Sequence, residues 1–174
     1  AHADGLFALT GGQRSLLDAL VDRSQDESAL AWLDDLNRIF HGKLFIELQQ
    51  HTPKQEIHLR RLVKVTQQKQ IPFVATQDIY YLSPQDADLQ KTLAAIRLNC
   101  KRKNLQVYQT APENSYFTSG NEMQLRFAWI PEALENSQEI ARLCTFQLPT
   151  GETRFPEIPL PAGKTAAETL KEKA

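Results

Sequence analysis

The sequence predicts an α/β fold, a partial (β/α) barrel with parallel strands, followed by a small helical extension and a proline-rich tail. Three observations point there. Three short β-type runs occur at residues 6–10 (LFALT), 44–48 (LFIEL) and 72–76 (PFVAT). Each is followed by a turn signal and then by a helical pattern, an order that builds βαβ units and therefore parallel strands. A parallel sheet is covered on both faces, and barrels of this type use about seven or eight strands, so three strands read as part of a larger barrel.

The elements follow in order. Gly11-Gly12 ends the first run, and Ala29, Leu33, Leu36 and Phe40 then mark one face of a helix. His41-Gly42 stops it, with Gly42 expected in the cap role. After the second run, His51-Thr52-Pro53 turns the chain, and Leu59, Leu62, Val63 and Thr66 repeat the helical period. After the third, Ser83 caps a helix with Pro84 at its first position and Asp86 and Asp88 in its first turn. Leu89, Leu93, Ile96 and Cys100 are the expected buried stripe of that helix. Residues 101–118 read as a polar loop. Ser119 and Glu122 have capping-box spacing for a short helix over 119–129. Pro131 opens another helix with Ala133, Ser137, Ile140, Ala141 and Cys144 on one stripe. Pro149, Pro156, Pro159 and Pro161 make residues 148 onward an extended connector, and a last helix is expected over 165–173. The resulting division is 1–100, 101–147 and 148–174.

Composition limits the function. Of 174 residues, 41% are hydrophobic and 24% charged, which is globular. Lys+Arg 20 against Asp+Glu 21 gives a net charge of −1, without the basic excess of a chain that grips duplex DNA alone. No apolar run approaches the roughly 20 residues of a membrane span, and the opening Ala1-His2-Ala3-Asp4 is no signal peptide. Cys100 and Cys144 cannot form a disulfide framework, so a cytoplasmic location is expected. Met123 is the only methionine, and the chain reads as a piece of a longer protein.

In β/α barrels, reactive groups sit at the C-terminal ends of strands. His51 and Asp78 stand there, after successive strands, and an imidazole with a carboxylate is the start of a metal site. Two ligands fall short of the three a catalytic zinc needs. Other signals carry less. Gly163-Lys164-Thr165 lacks the preceding glycine of a P-loop, since Ile158 stands in its place. Asp86 and Asp88 diverge on a helix. Arg60-Arg61 with Lys64 and Lys69, and Lys101-Arg102-Lys103, read as solvated basic faces. His41 and His58 have no partner at ligand spacing, and no nucleophile elbow, CxxC or HExxH is present.

Several phrases go further. FIELQQH at 45–51 resembles the "F-x-E-L-Q-x-H" phrase of the polymerase-and-histidinol-phosphatase (PHP) domain of bacterial DNA polymerase III alpha subunits. IPFVATQDIYYL at 71–82 resembles that family's "L-P-x-V-A-T-N-D-V-H-Y-L", LTGG at 9–12 its "L-S/T-G" strand, and IPEALENSQEIARLC at 130–144 its "I-P-E-A-L-x-N-T-x-E-I-A-x-x-C". The tail, with FPEIP at 155–159 and GKT at 163–165, is similar to the stretch leading toward the polymerase palm. The resemblance implies that 1–100 is the C-terminal half of a PHP barrel, 101–147 a loop and helical extension, and 148–174 a connector.

It also implies that His51 and Asp78 occupy two metal-ligand positions, while Tyr80 stands where the family has a ligand histidine and Gln77 where it has asparagine. Tyrosine, with a reference pKa near 10, is a poor zinc ligand at neutral pH. The remaining family ligands lie in an H-x-H phrase that these residues lack. No catalytic or cofactor-binding residue is therefore expected in the chain. Zinc or manganese belongs to a complete PHP site, and magnesium to the polymerase centre of the whole protein. The expected partners are the remainder of the polymerase chain, a proofreading exonuclease subunit, other replisome subunits and, through the whole protein, DNA; no membrane is expected. The role read for this segment is a structural and docking scaffold, with half of a metal-dependent phosphoesterase or 3′–5′ exonuclease site as the alternative. A stand-alone phosphatase has no use for the palm-directed tail. An open sheet edge and an apolar face are expected to make the isolated piece self-associate.

Overall fold

The computed structural model describes residues 2–112, 114–148, 150–151 and 159–173. Three strands, β1 (Ala8–Leu9), β2 (Leu44–Gln49) and β3 (Phe73–Thr76), form one parallel sheet in the order β1-β2-β3. Each expected run contains a strand, although only Ala8–Leu9 of the run at 6–10 pairs, and the helices between them make the crossovers. Ala8 pairs with Leu44 and Leu9 with Phe45, while Ile46 pairs with Phe73 and Leu48 with Ala75. Side chains alternate along a strand, so Leu44, Ile46, Leu48, Phe73 and Ala75 share one face.

Helices α1 (Leu16–Asp22), α2 (Asp26–Phe40) and α3 (Glu56–Thr66) supply Leu17, Val21, Ala29, Leu33, Leu59 and Leu62 to the buried cluster against that face. The expected stripes of α2 and α3 thus meet the sheet. The sequence reading missed α1, although Ser15 caps it by accepting from the Asp18 N–H at 3.1 Å. At the end of α2, the left-handed cap residue is His41 itself, with φ 48°, and Gly42 follows with φ 77°; the expected cap sits one residue earlier.

Helix α4 (Ala87–Arg97) begins as expected after Ser83, whose hydroxyl lies 2.7 Å from Asp86, with Pro84 opening a 3-10 turn. Its burial is the reverse of the expectation. Ala94 and Ala95 are buried, and the apolar stripe Leu89, Leu93 and Ile96 faces outward. Small residues let the helix sit close on one side, and the period alone does not say which side is inside. Residues 101–118 are not simply a solvated loop. Ser115 and Thr118 are buried, and Tyr116 makes a parallel bridge with Tyr81.

Helix α5 (Gly120–Arg126) has the expected Ser119–Glu122 box and ends before Phe127, which is fully buried. Helix α6 (Glu132–Leu143) runs along the outer side of β3. Asn136 Nδ2 donates to the Phe73 carbonyl at 2.8 Å and Ser137 Oγ to the Ala75 carbonyl at 2.6 Å. An open sheet edge was expected; at β3 these two side chains bond the outward carbonyls and α6 covers that edge. Ala133 is buried at the start of the predicted α6 stripe, but Ala141 and Cys144 at its end are exposed.

The chain divides into two compact units, Ala1–Cys144 and Thr145–Ala174. In the second, Thr165 caps α7 (Ala166–Lys173), its N–H donating to Glu168 at 2.8 Å. Pro159 and Pro161 are exposed, whereas Pro149 and Pro156 of the predicted proline-rich tail lie outside the described residues. No described helix is long and apolar enough to cross a membrane.

Candidate functional site

The polar side chains at the C-terminal end of the sheet are set by a single buried carboxylate. Glu47 of β2 accepts from the Gly11 N–H at 3.0 Å, from Gln49 Nε2 at 3.0 Å and from the Thr76 hydroxyl. It thus ties the ends of β1, β2 and β3 together. Three donors satisfy a carboxylate taken from water, which turns a costly burial into an anchor.

His51 lies two residues past β2 and is only 3% exposed. Its backbone N–H donates to Gln55 Oε1 at 2.7 Å, and its carbonyl accepts from Asn114 Nδ2 at 3.2 Å. Thr52 and Pro53 then start the 3-10 turn into α3 with Gln55 as the reciprocal cap. The ring is therefore held from the backbone, while its Nδ1 is buried without a hydrogen-bond partner among the described residues. Burial lowers the imidazole pKa below 6.5, against the contact with Asn114 and the charge of Asp78, which raise it, and Arg126 lowers it further. The ring borders a pocket of ≈ 400 Å³ of mixed lining, with Thr52, Glu56, Asn114 and Arg126 beside Pro53 and Leu125.

Arg126, the last residue of α5, organises the far wall of that pocket. It donates to the Gln50 carbonyl and to the Tyr116 hydroxyl, each at 3.2 Å. The Tyr116 hydroxyl donates to Glu122 at 2.7 Å. That bond draws the Glu122 carboxyl below the usual carboxylate range and pushes the Tyr116 phenol up. Trp129 Nε1 donates to Gln50 Oε1 at 3.4 Å, and the Arg60 guanidinium stacks 4.6 Å from the Trp129 ring. Asn114, Tyr116 and Arg126 were absent from the sequence reading. The Ser119–Glu122 box followed by Arg126 at i+4 from Glu122 was the available signal.

Of the predicted ligand positions, Asp78 is half-buried and makes no ion pair with His51 among the described residues. Tyr80 is 47% exposed, fixed by its backbone N–H donating to the Ser115 carbonyl at 2.9 Å. Gln77 is occupied structurally, donating to the Tyr116 carbonyl at 2.8 Å and to the Thr118 hydroxyl. No group of three or more His, Cys, Asp or Glu side chains gathers to hold a metal among the described residues. His51 Nδ1 has no partner among the described residues, but His51 and Asp78 are two donors where zinc or manganese needs at least three. The donor set does not fit a metal as it stands.

The fold and this cluster define a parallel α/β unit with a polar cluster at the C-terminal ends of its strands. No protein-family model matches the chain. It is 32% identical to DNA polymerase III subunit alpha of Caulobacter vibrioides over 174 residues, which is 99% of the chain and 15% of that protein. It is 30% identical to the subunit of the same name from Thermus aquaticus, over 98% of the chain and 15% of that protein, and 26% identical to that of Bacillus subtilis, again over 98% and 15%. Along nearly its whole length the chain belongs to the DNA polymerase III alpha-subunit family. It spans only 15% of these relatives.

Proposed function

We propose that the chain is part of the alpha, polymerising subunit of a bacterial DNA polymerase III. In this reading, residues 1–100 are the C-terminal half of its PHP-type barrel and 101–147 the helical extension. Residues 148–174 form the connector toward the palm. The segment is a structural and docking scaffold in the cytoplasm, offered to the rest of the polymerase chain and to a proofreading exonuclease subunit. The paired palm aspartates that hold magnesium for nucleotidyl transfer lie outside these residues. The observation that carries the reading is the similarity to alpha subunits along 98–99% of the chain. The half-exposed Tyr80 at a ligand position supports a scaffold over a hydrolase.

Two measurements test it. The full-length protein should extend a primed DNA template with magnesium, and the 174-residue chain should co-elute with a purified proofreading exonuclease subunit in gel filtration. Failure to extend the primer removes the polymerase reading, and separate elution removes the docking role.

The alternative, half of a metal-dependent phosphoesterase or 3′–5′ exonuclease site, is favoured by the buried His51 Nδ1, which has no partner among the described residues. Stoichiometric zinc or manganese in the full-length protein, lost on His51→Ala, would replace the scaffold reading with this one.

A further inference from the structure

Helix α4 packs by its buried alanines, Ala94 and Ala95, and turns Leu89, Leu93 and Ile96 outward at 58%, 57% and 70% exposed. Single exposed leucines need no explanation, but an aliphatic stripe along one helix face does. The surroundings of the stripe are basic. Arg102 pairs with Asp88 in the first turn of α4, so the chain doubles back and lays Lys101-Arg102-Lys103 alongside the helix. A shallow groove of ≈ 540 Å³ runs between Ile96, Cys100, Lys101 and Arg102. A separate groove, of ≈ 580 Å³ and lined by Lys91, Arg102, Lys103 and Val107, lies off the stripe, none of whose three residues borders it.

Residues 86–103 carry five cations and two acids, in a chain whose net charge is −1. Both acids are engaged, Asp86 with Ser83 and Asp88 with Arg102. Among the described residues, no acidic side chain pairs with Lys91, Arg97, Lys101 or Lys103. At its C-terminal end the stripe is flanked by Arg97, one turn on from Leu93, and by Lys101, which borders the same groove as Ile96; neither has an acidic partner among the described residues.

We infer that the outward face of α4 docks an acidic amphipathic helix of a partner protein. A helix meets a helix by fitting residues spaced i and i+4 into the grooves beside them, so leucines of the partner would lie along Leu89, Leu93 and Ile96. Its carboxylates would reach Arg97 and Lys101 at the C-terminal end of the stripe, which sets orientation and speeds encounter. A second copy of this chain would bring like charges together. A single nucleic-acid strand calls for aromatic platforms, and this stripe is aliphatic. The inference rests on the docking-scaffold reading for the existence of a partner.

The probe is a synthetic end-capped helical peptide with leucines at i, i+4 and i+7 and glutamates flanking them, titrated into the 174-residue chain by fluorescence anisotropy. It should bind, weaken as salt rises, and bind about tenfold less well when its glutamates are replaced by lysines. Leu93→Glu, and separately the pair Arg97→Glu with Lys101→Glu, should each weaken it about tenfold or more, with circular dichroism unchanged because all three positions are exposed. Equal binding of the acidic and basic peptides, or unchanged binding by either variant, overturns the inference. So does competition by oligothymidine, or a dimer in sedimentation that Leu93→Glu dissolves. Peptide binding with the expected signatures supports it whatever the exonuclease subunit does, so the two readings fail separately.

Discussion

His58 Nε2 on α3 lies 2.8 Å from Oδ1 of the buried Asp18 on α1, and its Nδ1 lies 2.9 Å from Asp22 Oδ1 one turn further along α1. The imidazole thus bridges two carboxylates on successive turns of α1. Ser15 also donates to Asp18 at 2.9 Å, so one carboxylate joins the cap of α1 to α3. Replacing His58 by alanine leaves a buried carboxylate short of a donor and should cost about 1–3 kcal/mol. Urea unfolding at neutral pH checks it; an unchanged midpoint would refute the clamp.

The same pair makes a pH prediction. Burial pushes the Asp18 carboxyl above 3.8, while His58 and Ser15 pull it down. The folded chain therefore keeps this proton where the unfolded chain has lost it. Its contribution to stability is full below 3.8 and is lost as pH rises through the folded value. Carboxyl carbon shifts in NMR should give an Asp18 midpoint above 3.8, moving higher still in His58→Gln. A midpoint at or below 3.8 in the native chain contradicts the assignment.

His51 runs the other way. Burial holds its imidazole below 6.5, so its contribution to stability is present above that pH and is lost as pH falls through the folded value. Thermal unfolding between pH 7 and pH 5 should show a decline that is shallower in His51→Gln. Equal slopes for the two proteins would mean that burial does not lower the His51 imidazole.

The β3 edge depends on two side chains of α6. Asn136→Ala and Ser137→Ala each remove a donor from a strand carbonyl and should cost about 1 kcal/mol, the pair about 2. The double variant should also aggregate faster, because the strand edge is uncovered. Light scattering identical to that of the native chain would show that the helix covers the edge without these bonds.

Gly12 has φ +60°, and a β-carbon there would overlap the Gln49 side chain, which is held by Glu47. Gly12→Ala should cost about 1–3 kcal/mol, because the left-handed backbone is strained for alanine and Gln49 must leave its bond. Adding Gln49→Ala should recover only the steric part. Full recovery in the double variant, measured by urea unfolding, would leave no room for backbone strain.

What the sequence alone determined was local. The three strand runs, the stripes of α2 and α3, the cap at Ser83 and the box at Ser119 were legible because short-range sterics and hydrogen bonds specify them. His51 and Asp78 were placed correctly just past the ends of β2 and β3 for the same reason. Tertiary structure decided the rest. The periodicity of α4 marked an apolar stripe but could not say that Ala94 and Ala95 would be the side turned in. Asp18 and His58 are 40 residues apart, and Gln50 and Arg126 are 76 apart. Such contacts arise only when the crossovers have closed, because a charge or hydrogen-bond partner that distant leaves no periodic trace along the chain.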